Sequence, residues 1–301
     1  MKPILVYGWY GHGNIGDELF KLAFQTLFPN QHFIFTDSFT PSLLEQTSTV
    51  IIGGGSFLDS PIETTGLENK KILYLGVGME TNIHSSHQML LDRAKLIATR
   101  TPDTKHLYIP DLVFALPKPS PVKRIRKSIL YIPNVSVVPT WKDFYWKHSA
   151  WNYFKMEVAQ TFDELIKLGY QISFLPMCQS PMNSDIAVSM EIISSMEYRD
   201  NCLILDSSYD SLTKIIASHE MVLSQRYHGC ILSEICDTPY ISAYHHDKLK
   251  FNYYGRGLFI PYYGIFKADL INKLCHPQTM TEIEIHSFDE LKDRFNTVIG
   301  G

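Results

Sequence analysis

Residues 4–18 read Ile-Leu-Val-Tyr-Gly-Trp-Tyr-Gly-His-Gly-Asn-Ile-Gly-Asp-Glu, so a short apolar run leads directly into a glycine-rich loop. Apolar residues then recur at Leu19, Ala23 and Leu27, which is the spacing of one helical face, and the segment stops near Pro29. This stretch predicts a buried strand, a loop whose backbone can approach a ligand closely, and an amphipathic helix.

Two later segments repeat the pattern of a strand that ends in glycines. Residues 49–55 read Thr-Val-Ile-Ile-Gly-Gly-Gly, and residues 71–78 read Lys-Ile-Leu-Tyr-Leu-Gly-Val-Gly. Open α/β sheets bind ligands at the carboxyl ends of their strands, so the three loops predict one ligand-facing sheet edge. A tight turn is the alternative for each loop taken alone.

The first loop also matches the dinucleotide fingerprint, with Gly11, Gly13 and Gly16 in the required spacing. Asp37 follows the next apolar run, about where an acid would bind a ribose. However, Asp17-Glu18 places two carboxylates in the first helical turn, where they would repel a diphosphate. We therefore do not expect a nicotinamide cofactor.

Size and composition set the broad class. A chain of 301 residues with 45% hydrophobic content can bury two cores, and we expect domains at 1–120 and 121–280 followed by a C-terminal helix within 281–301. The net charge of −4 and the pI near 6.3 give no attraction to nucleic acid. No apolar run is long enough to span a bilayer and no signal peptide is visible, which predicts a soluble cytoplasmic protein.

Cysteine and histidine patterns argue against metal and disulfide chemistry. The five cysteines are widely spread and contain no C-x-x-C pair, so we expect buried, reduced thiols. His245-His246-Asp247 follows a strand-like run, but adjacent side chains on a strand point to opposite faces. We predict no metal site.

A linker precedes a second series of strand and helix patterns. Residues 117–121 hold three prolines, and the basic cluster at 123–127 is interpreted as a solvated connector. Residues 141–148 read Trp-Lys-Asp-Phe-Tyr-Trp-Lys-His and are expected to form a loop. Flat aromatic faces with polar neighbours suit a sugar ring, so Trp141 and Trp146 are candidates for acceptor binding, although packing in the core is the competing interpretation.

Residues 224–229 read Ser-Gln-Arg-Tyr-His-Gly and lie between the apolar run 221–223 and a helical apolar pattern. The spacing predicts a strand end that turns into a helix N-terminus, which favours anions. Arg226 would add a charged, planar fork, and His228 is a side chain that exchanges protons near neutral pH. A structural ion pair and a turn-capping histidine remain the alternative.

Taken together, these residues resemble the polysaccharide pyruvyltransferase family. The similarity runs over about residues 4–250 and is carried by these motifs in order: Gly8–Glu18, Gly53–Gly55, Arg100 at a strand end, Pro110-Asp111, Ser224-x-Arg226-x-His228, Pro239, and Tyr244-x-x-x-Lys248. The resemblance implies two Rossmann-like domains that face a cleft, as in GT-B enzymes, and leaves open whether the C-terminal helix crosses back to the first domain. It also implies phosphoenolpyruvate as the donor, a sugar or glycan hydroxyl pair as the acceptor, and no bound cofactor.

The resemblance also implies roles for single residues. His228 would transfer protons, Arg226 and Arg100 would bind the phosphate and carboxylate of the donor, and Ser224, Lys248 and Gly54 would complete the donor site. Asn14 and Asp17 would face the acceptor. The chain departs from the family pattern at Thr101, because an acid usually follows the arginine. Two alternatives stay open, a GT-B glycosyltransferase that uses a nucleotide sugar and a non-catalytic sugar- or phosphometabolite-binding protein; neither the acceptor sugar nor the oligomeric state follows from these residues.

Overall fold

The computed structural model describes residues 2–55, 57–79, 82–102, 105–138, 145–180, 183–206, 209–244, 257–261, 264–276 and 287–300. Contacts divide the chain into two compact units, residues 1–116 with 284–301 and residues 117–283. Each unit contains a parallel six-stranded sheet. The α/β class with two Rossmann-like sheets that the sequence predicts is confirmed.

The first unit alternates strands and helices. Its strands are β1 (Ile4–Tyr7), β2 (Phe33–Thr36), β3 (Thr49–Gly55), β4 (Lys71–Val77), β5 (Leu96–Thr99) and β6 (Leu107–Tyr108). Its helices are α1 (Ile15–Leu27), α2 (Pro41–Gln46), α3 (Ser85–Leu91), a 3-10 turn (Leu112–Ala115) and, in chain order the ninth, α9 (Asp289–Gly300).

The strand order in this unit is β2-β1-β3-β4-β5-β6. The chain leaves β1 for one side of the sheet and later continues on the other, so the topological switch point lies between β1 and β3. Helix α1 buries Leu19, Phe20, Ala23 and Phe24, the face that the sequence periodicity indicates. The C-terminal helix α9 packs in the same unit, where Phe295 stacks on Phe28 at 3.9 Å between ring centroids.

The second unit also alternates strands and helices. Its strands are β7 (Ile125–Ile132), β8 (Gln171–Phe174), β9 (Gln179–Ser180), β10 (Asn183–Ser184), β11 (Cys202–Ile204), β12 (His219–Ser224), β13 (Tyr240–Tyr244) and β14 (Leu258–Pro261). Its helices are α4 (Tyr145–Lys167), α5 (Asp185–Ser194), α6 (Tyr209–Ser218), α7 (Tyr227–Ile235) and α8 (Lys267–Cys275), with 3-10 turns at Val135–Val137 and Arg199–Asn201.

Six of these strands form the large sheet, in the order β11-β8-β7-β12-β13-β14. The switch point of this unit therefore lies between β7 and β12. Helix α4 packs Trp151, Phe154, Val158 and Phe162 into the core at helical spacing.

The aromatic segment that we expected to be a loop is partly helical. Helix α4 already begins at Tyr145, so Trp146 lies in the helix rather than in a loop, and the expectation is corrected there. The physical reason is that no glycine or proline separates residues 145–150 from the packed helix, which can extend through them. Trp141 lies outside the described residues.

A buried histidine gives the first unit a dependence on pH. His87 is 1% exposed, and its Nδ1 lies 3.1 Å from the Tyr74 hydroxyl. Burial lowers the pKa of His87 to about 4, because the charged imidazolium loses its hydration. Between the ordinary histidine pKa and pH 4, the unfolded chain therefore binds a proton that the folded chain does not.

We expect the contribution of His87 to the free energy of unfolding to be fully present above about pH 6.5. It should fall towards pH 4, by at most about 1.4 kcal/mol per pH unit. Chemical unfolding between pH 8 and pH 4 measures the slope. His87→Gln should flatten it, whereas His32→Gln, at an exposed position, should leave it unchanged. Equal slopes in wild type and His87→Gln would contradict this account.

Candidate functional site

The switch point of the second unit brings the ends of β7 and β12 together. The amide of Gln225, directly after β12, donates to the carbonyl of Ile132 at 2.8 Å. Helix α7 then begins at Tyr227. The predicted strand-to-helix junction is therefore present, and it lies where open α/β sheets bind their ligands.

The turn between strand and helix explains the residue types in the motif. The Ser224 hydroxyl accepts from the Arg226 amide at 3.1 Å and donates to the Arg226 carbonyl at 2.9 Å. A Cβ atom at Gly229 would lie 2.4 Å from the Ser224 Oγ, so only glycine fits there. Ser224 is buried and fixes the turn; its direct contact with a donor stays a prediction.

The N-terminus of α7 favours a negative charge. Arg226 is its N-cap, and among the described residues the Arg226 side chain makes no capping hydrogen bond to the helix. The first amides of a helix carry a positive partial charge, which attracts anions. His228 lies in this first turn, half-buried, with its ring edge-on to Tyr227 at 5.4 Å.

A buried carboxylate orients the arginine. Asp185, the first residue of α5, has no exposed surface. Its Oδ2 accepts from Arg226 Nε at 3.0 Å, and its Oδ1 accepts from Arg226 Nη2 at 2.5 Å. This bidentate pair fixes the plane of the guanidinium. We expected the Arg226 fork to bind the donor; the structure engages its Nε–Nη2 edge with Asp185, so a donor would bind through the Nη1 side.

The same carboxylate accepts three backbone amides. Val135 donates to Oδ1 at 2.9 Å, while Met177 and Cys178 donate to Oδ2 at 3.1 and 2.9 Å. These bonds offset the cost of burying the charge and spread it over several donors. Asp185 thus connects the segments after β7 and β8 to the start of α7.

A second buried network holds Gln225. Its Oε1 accepts from the Tyr131 hydroxyl at 2.6 Å and from the Asn134 amide at 3.3 Å. Burial raises the pKa of Tyr131 well above its usual range, so the hydroxyl remains a donor at any ordinary pH. The residue between Ser224 and Arg226 is therefore fixed to β7 by its side chain as well as by its amide.

In the first unit, the glycine loops meet at the switch point between β1 and β3. The Tyr10 hydroxyl donates to the Gly53 carbonyl at 3.0 Å. Gly54 has φ +77°, and a Cβ atom there would lie 2.6 Å from the Phe20 ring. Gly54 is thus required by close packing, and its role towards a donor stays a prediction.

Asn14 and Asp17 hold the start of α1. Asn14 is the N-cap, whose Oδ1 accepts from the Gly16 amide at 3.2 Å and whose Nδ2 donates to Asp17 Oδ2 at 2.5 Å. Glu18 Oε1 accepts from the Gly11 amide at 2.6 Å. The Gly11 amide of the glycine loop is thus bonded to a carboxylate of α1, and the absence of a nicotinamide cofactor stays a prediction.

Arg100 directly follows β5 and is 9% exposed. Its Nη1 donates to Asp111 Oδ2 at 2.6 Å, and Asp111 Oδ1 accepts from the Val113 amide at 3.0 Å. Thr101, where the family pattern has an acid, accepts from the Met79 amide at 3.0 Å through its hydroxyl. The threonine therefore ties the end of β4 to the end of β5.

The structure brings Ser224, Arg226 and His228 together at one junction and places Asn14, Asp17 and Gly54 around the other switch point. Lys248 and Trp141 lie outside the described residues. Sequence reasoning missed Asp185. Its only local signal is an acid after Ser184 at the start of an apolar helical pattern, which indicates an ordinary helix cap.

A family model described as polysaccharide pyruvyl transferase matches residues 14–247, which is more than half of the chain. The chain belongs to the polysaccharide pyruvyl transferase family. The resemblance that the sequence motifs indicate is thereby confirmed. The match begins at Asn14 and includes Asp185, Arg226 and His228, so the strand-to-helix junction of this pyruvyl transferase family member lies within the matched region. A search of curated proteins found no match.

Solved structures with similar folds are distant in sequence. S. aureus MnaA in a co-structure with UDP has a TM-score of 0.65 at 11% identity, covering 100% of this chain and 97% of that one. UDP-GlcNAc 2-epimerase from Methanocaldococcus jannaschii, in complex with UDP-GlcNAc and UDP, has a TM-score of 0.62 at 9% identity, with 100% of both chains covered. UDP-GlcNAc 2-epimerase from Neisseria meningitidis, bound to UDP-GlcNAc, has a TM-score of 0.61 at 11% identity, with 100% of both chains covered. This pyruvyl transferase family member has the GT-B-like fold that we predicted.

No described helix of this family member combines the length and apolar character needed to cross a membrane. In the same part of the chain, no group of three or more His, Cys, Asp or Glu side chains could hold a metal ion.

We expect Asp185→Asn to lower the free energy of unfolding by about 3–5 kcal/mol, because it leaves a mostly buried guanidinium without its charge partner. Urea unfolding measures this loss. The matched control is Asp237→Asn in the same unit, whose ion pair with Lys118 is exposed and should contribute about 1 kcal/mol or less. Similar losses in the two variants would show that Asp185 does not organise the junction.

Proposed function

We propose that the protein transfers the pyruvyl group of phosphoenolpyruvate onto a pair of sugar hydroxyls, forming a pyruvate ketal and releasing phosphate. One observation carries this proposal. The matched family region contains an arginine and a histidine at an anion-favouring helix N-terminus, and a buried aspartate fixes that arginine. A glycan acceptor follows from the family description.

The donor has two anionic groups, a phosphate and a carboxylate. Arg226 would bind one of them through the Nη1 side of its guanidinium, beside the first amides of α7. Asp185 balances part of the arginine charge but fixes the direction of the guanidinium. A guanidinium that is already fixed requires no reorganisation when the substrate binds. Arg100, Ser224, Lys248 and Gly54 are proposed to complete the donor contacts, and Asn14 and Asp17 to face the acceptor.

The chemistry has three steps. A proton is added to C3 of the enol, which makes C2 electrophilic. One sugar hydroxyl attacks C2 and loses its proton, and the bond between C2 and the phosphate oxygen breaks. The second hydroxyl then attacks C2, loses its proton and closes the ketal. His228 is the group we propose to exchange these protons, a role that contributes roughly 100- to 10,000-fold in rate.

Replacing the histidine tests its role. We expect His228→Gln to lower acceptor-dependent phosphate release by roughly 100-fold or more, with phosphoenolpyruvate affinity nearly unchanged. Phosphate release against pH, measured for both forms, should show a group that titrates in the histidine range only in wild type. Full activity in the variant would place the proton transfer elsewhere, with Asp17 the next candidate.

Replacing the arginine tests donor binding. Arg226→Lys keeps the charge but loses the planar fork, so neither the bond pair to Asp185 nor the orientation towards the donor survives. We expect at least a tenfold loss in phosphoenolpyruvate affinity by calorimetry, about 1.4 kcal/mol. Arg126→Lys, at an exposed position near the start of β7, is the control and should bind like wild type.

The same calorimetry separates the rival functions. A nucleotide-sugar transferase would bind a UDP-sugar in place of phosphoenolpyruvate and release no phosphate from phosphoenolpyruvate. A binding protein would bind its ligand without turnover. Equal affinity of wild type and Arg226→Lys for phosphoenolpyruvate would contradict the proposed donor site.

A further inference from the structure

An exposed aromatic side chain lies at the carboxyl end of β1. Trp9 is 56% exposed, although both of its neighbours in the chain, Gly8 and Tyr10, are buried. Its indole stacks on the imidazole of His12, with ring centroids 3.9 Å apart and planes inclined by 16°. The imidazole thus covers one face of the indole, and much of the Trp9 surface stays accessible.

The fold holds this tryptophan in place. The Gly8 amide donates to the Thr36 carbonyl at 3.0 Å, and the Tyr10 amide donates to the Gly8 carbonyl at 2.9 Å. A Cβ atom at Gly8 would lie 2.7 Å from the Gly53 carbonyl oxygen, so the backbone before Trp9 is packed closely against strand β3. The exposure of Trp9 is therefore imposed by packed residues on both sides of it.

A polar pair lies beside the indole. His12 Nε2 is 2.9 Å from Asp37 Oδ2, and the two side chains are 33% and 43% exposed. The parallel pairing of β1 with β2, in which Tyr7 lies opposite Thr36, brings the residues after both strands to the same edge. The Ser38 hydroxyl donates to Asp37 Oδ1 at 3.2 Å. Asp37 thus holds the imidazole that stacks on one face of the indole.

We propose that Trp9 forms a sugar-binding subsite, in which the apolar face of a pyranose ring stacks on the open face of the indole, while His12, held by Asp37, supports the other face. This inference rests on the proposed function, because the sugar bound there would belong to the glycan acceptor. Stacking of a ring with polar edges on an aromatic face supplies area and orientation together.

The surrounding charges favour a neutral sugar over a nucleotide. A nucleobase would also stack on an indole, but its phosphates would need free amides and positive charge nearby. Here the Gly11 amide is bonded to Glu18, and the carboxylates of Asp17 and Asp37 belong to the same edge of the unit. Phosphates would be repelled, whereas sugar hydroxyls donate to carboxylates.

Saturation-transfer difference NMR tests the subsite on the full chain, because the method detects weak binding and reports which ring protons touch the protein. The probes are the methyl pyranosides of glucose, galactose, mannose and N-acetylglucosamine. We expect at least one to bind wild type, with transfer strongest to the hydrogens of one ring face. Trp9→Ala should weaken this binding roughly tenfold, and Trp9→Phe should retain most of it.

Phe266→Ala is the matched control, since Phe266 is an aromatic residue of the second unit that is 62% exposed, and it should bind the pyranosides like wild type. The subsite is refuted if wild type binds none of the four, if Trp9→Ala binds as wild type does, or if Trp141→Ala or Trp146→Ala removes binding while Trp9→Ala does not. Uridine binding that depends on Trp9, without pyranoside binding, would also refute it in favour of a nucleoside.

Phosphoenolpyruvate calorimetry on the same samples separates this inference from the proposed function. Trp9→Ala should bind phosphoenolpyruvate with wild-type affinity, because Trp9 is not among the proposed donor contacts. Wild-type protein that binds pyranosides through Trp9 but does not bind phosphoenolpyruvate would refute the proposed donor and support the subsite. Wild-type protein that binds phosphoenolpyruvate but shows no effect of Trp9→Ala on pyranosides would refute the subsite alone.

Discussion

The buried carboxylate of Asp185 is the constraint on which the junction of the second unit depends. It accepts both edge donors of Arg226 and three backbone amides, and these donors come from segments that follow β7, β8 and β12. Burying an ion without such partners would cost several kcal/mol, so the arrangement is stable only when all of them are in place. The direction of Arg226 is therefore a consequence of how three strand ends pack.

Each unit contains a parallel six-stranded sheet, but the two sheets present different side chains at the ends of their strands. In each, the glycine or serine turn lies at a topological switch point, where the backbone of one strand end meets the next. The first-unit edge carries Asp17, Glu18 and Asp37 and an exposed indole, a surface suited to a neutral, hydroxyl-rich ligand. The second-unit junction carries Arg226 and the α7 N-terminus, a surface suited to an anion.

Local patterns in the sequence predicted the local structure. The glycine loop before α1 and the turn at Ser224 could both be predicted, because the apolar periodicity of strands and helices and the residues that form turns act within a few positions. The role of Asp185 could not be predicted, since Arg226 and Val135, two of its partners, lie 41 and 50 residues away from it in the chain. The prediction of a loop at 141–148 was wrong at Trp146, because the packed helix α4 extends beyond its core-facing residues. The roles of Arg100, Lys248 and the other site residues stay predictions.

A double-mutant cycle at Asp185 and Arg226, read as the free energy of phosphoenolpyruvate binding by calorimetry, tests whether Asp185 acts on the donor by holding Arg226. If Asp185 acts on the donor only by holding Arg226, Asp185→Asn will weaken binding in the wild-type background and have little further effect in the Arg226→Lys background. Additive losses, or wild-type protein that does not bind phosphoenolpyruvate, would contradict the account.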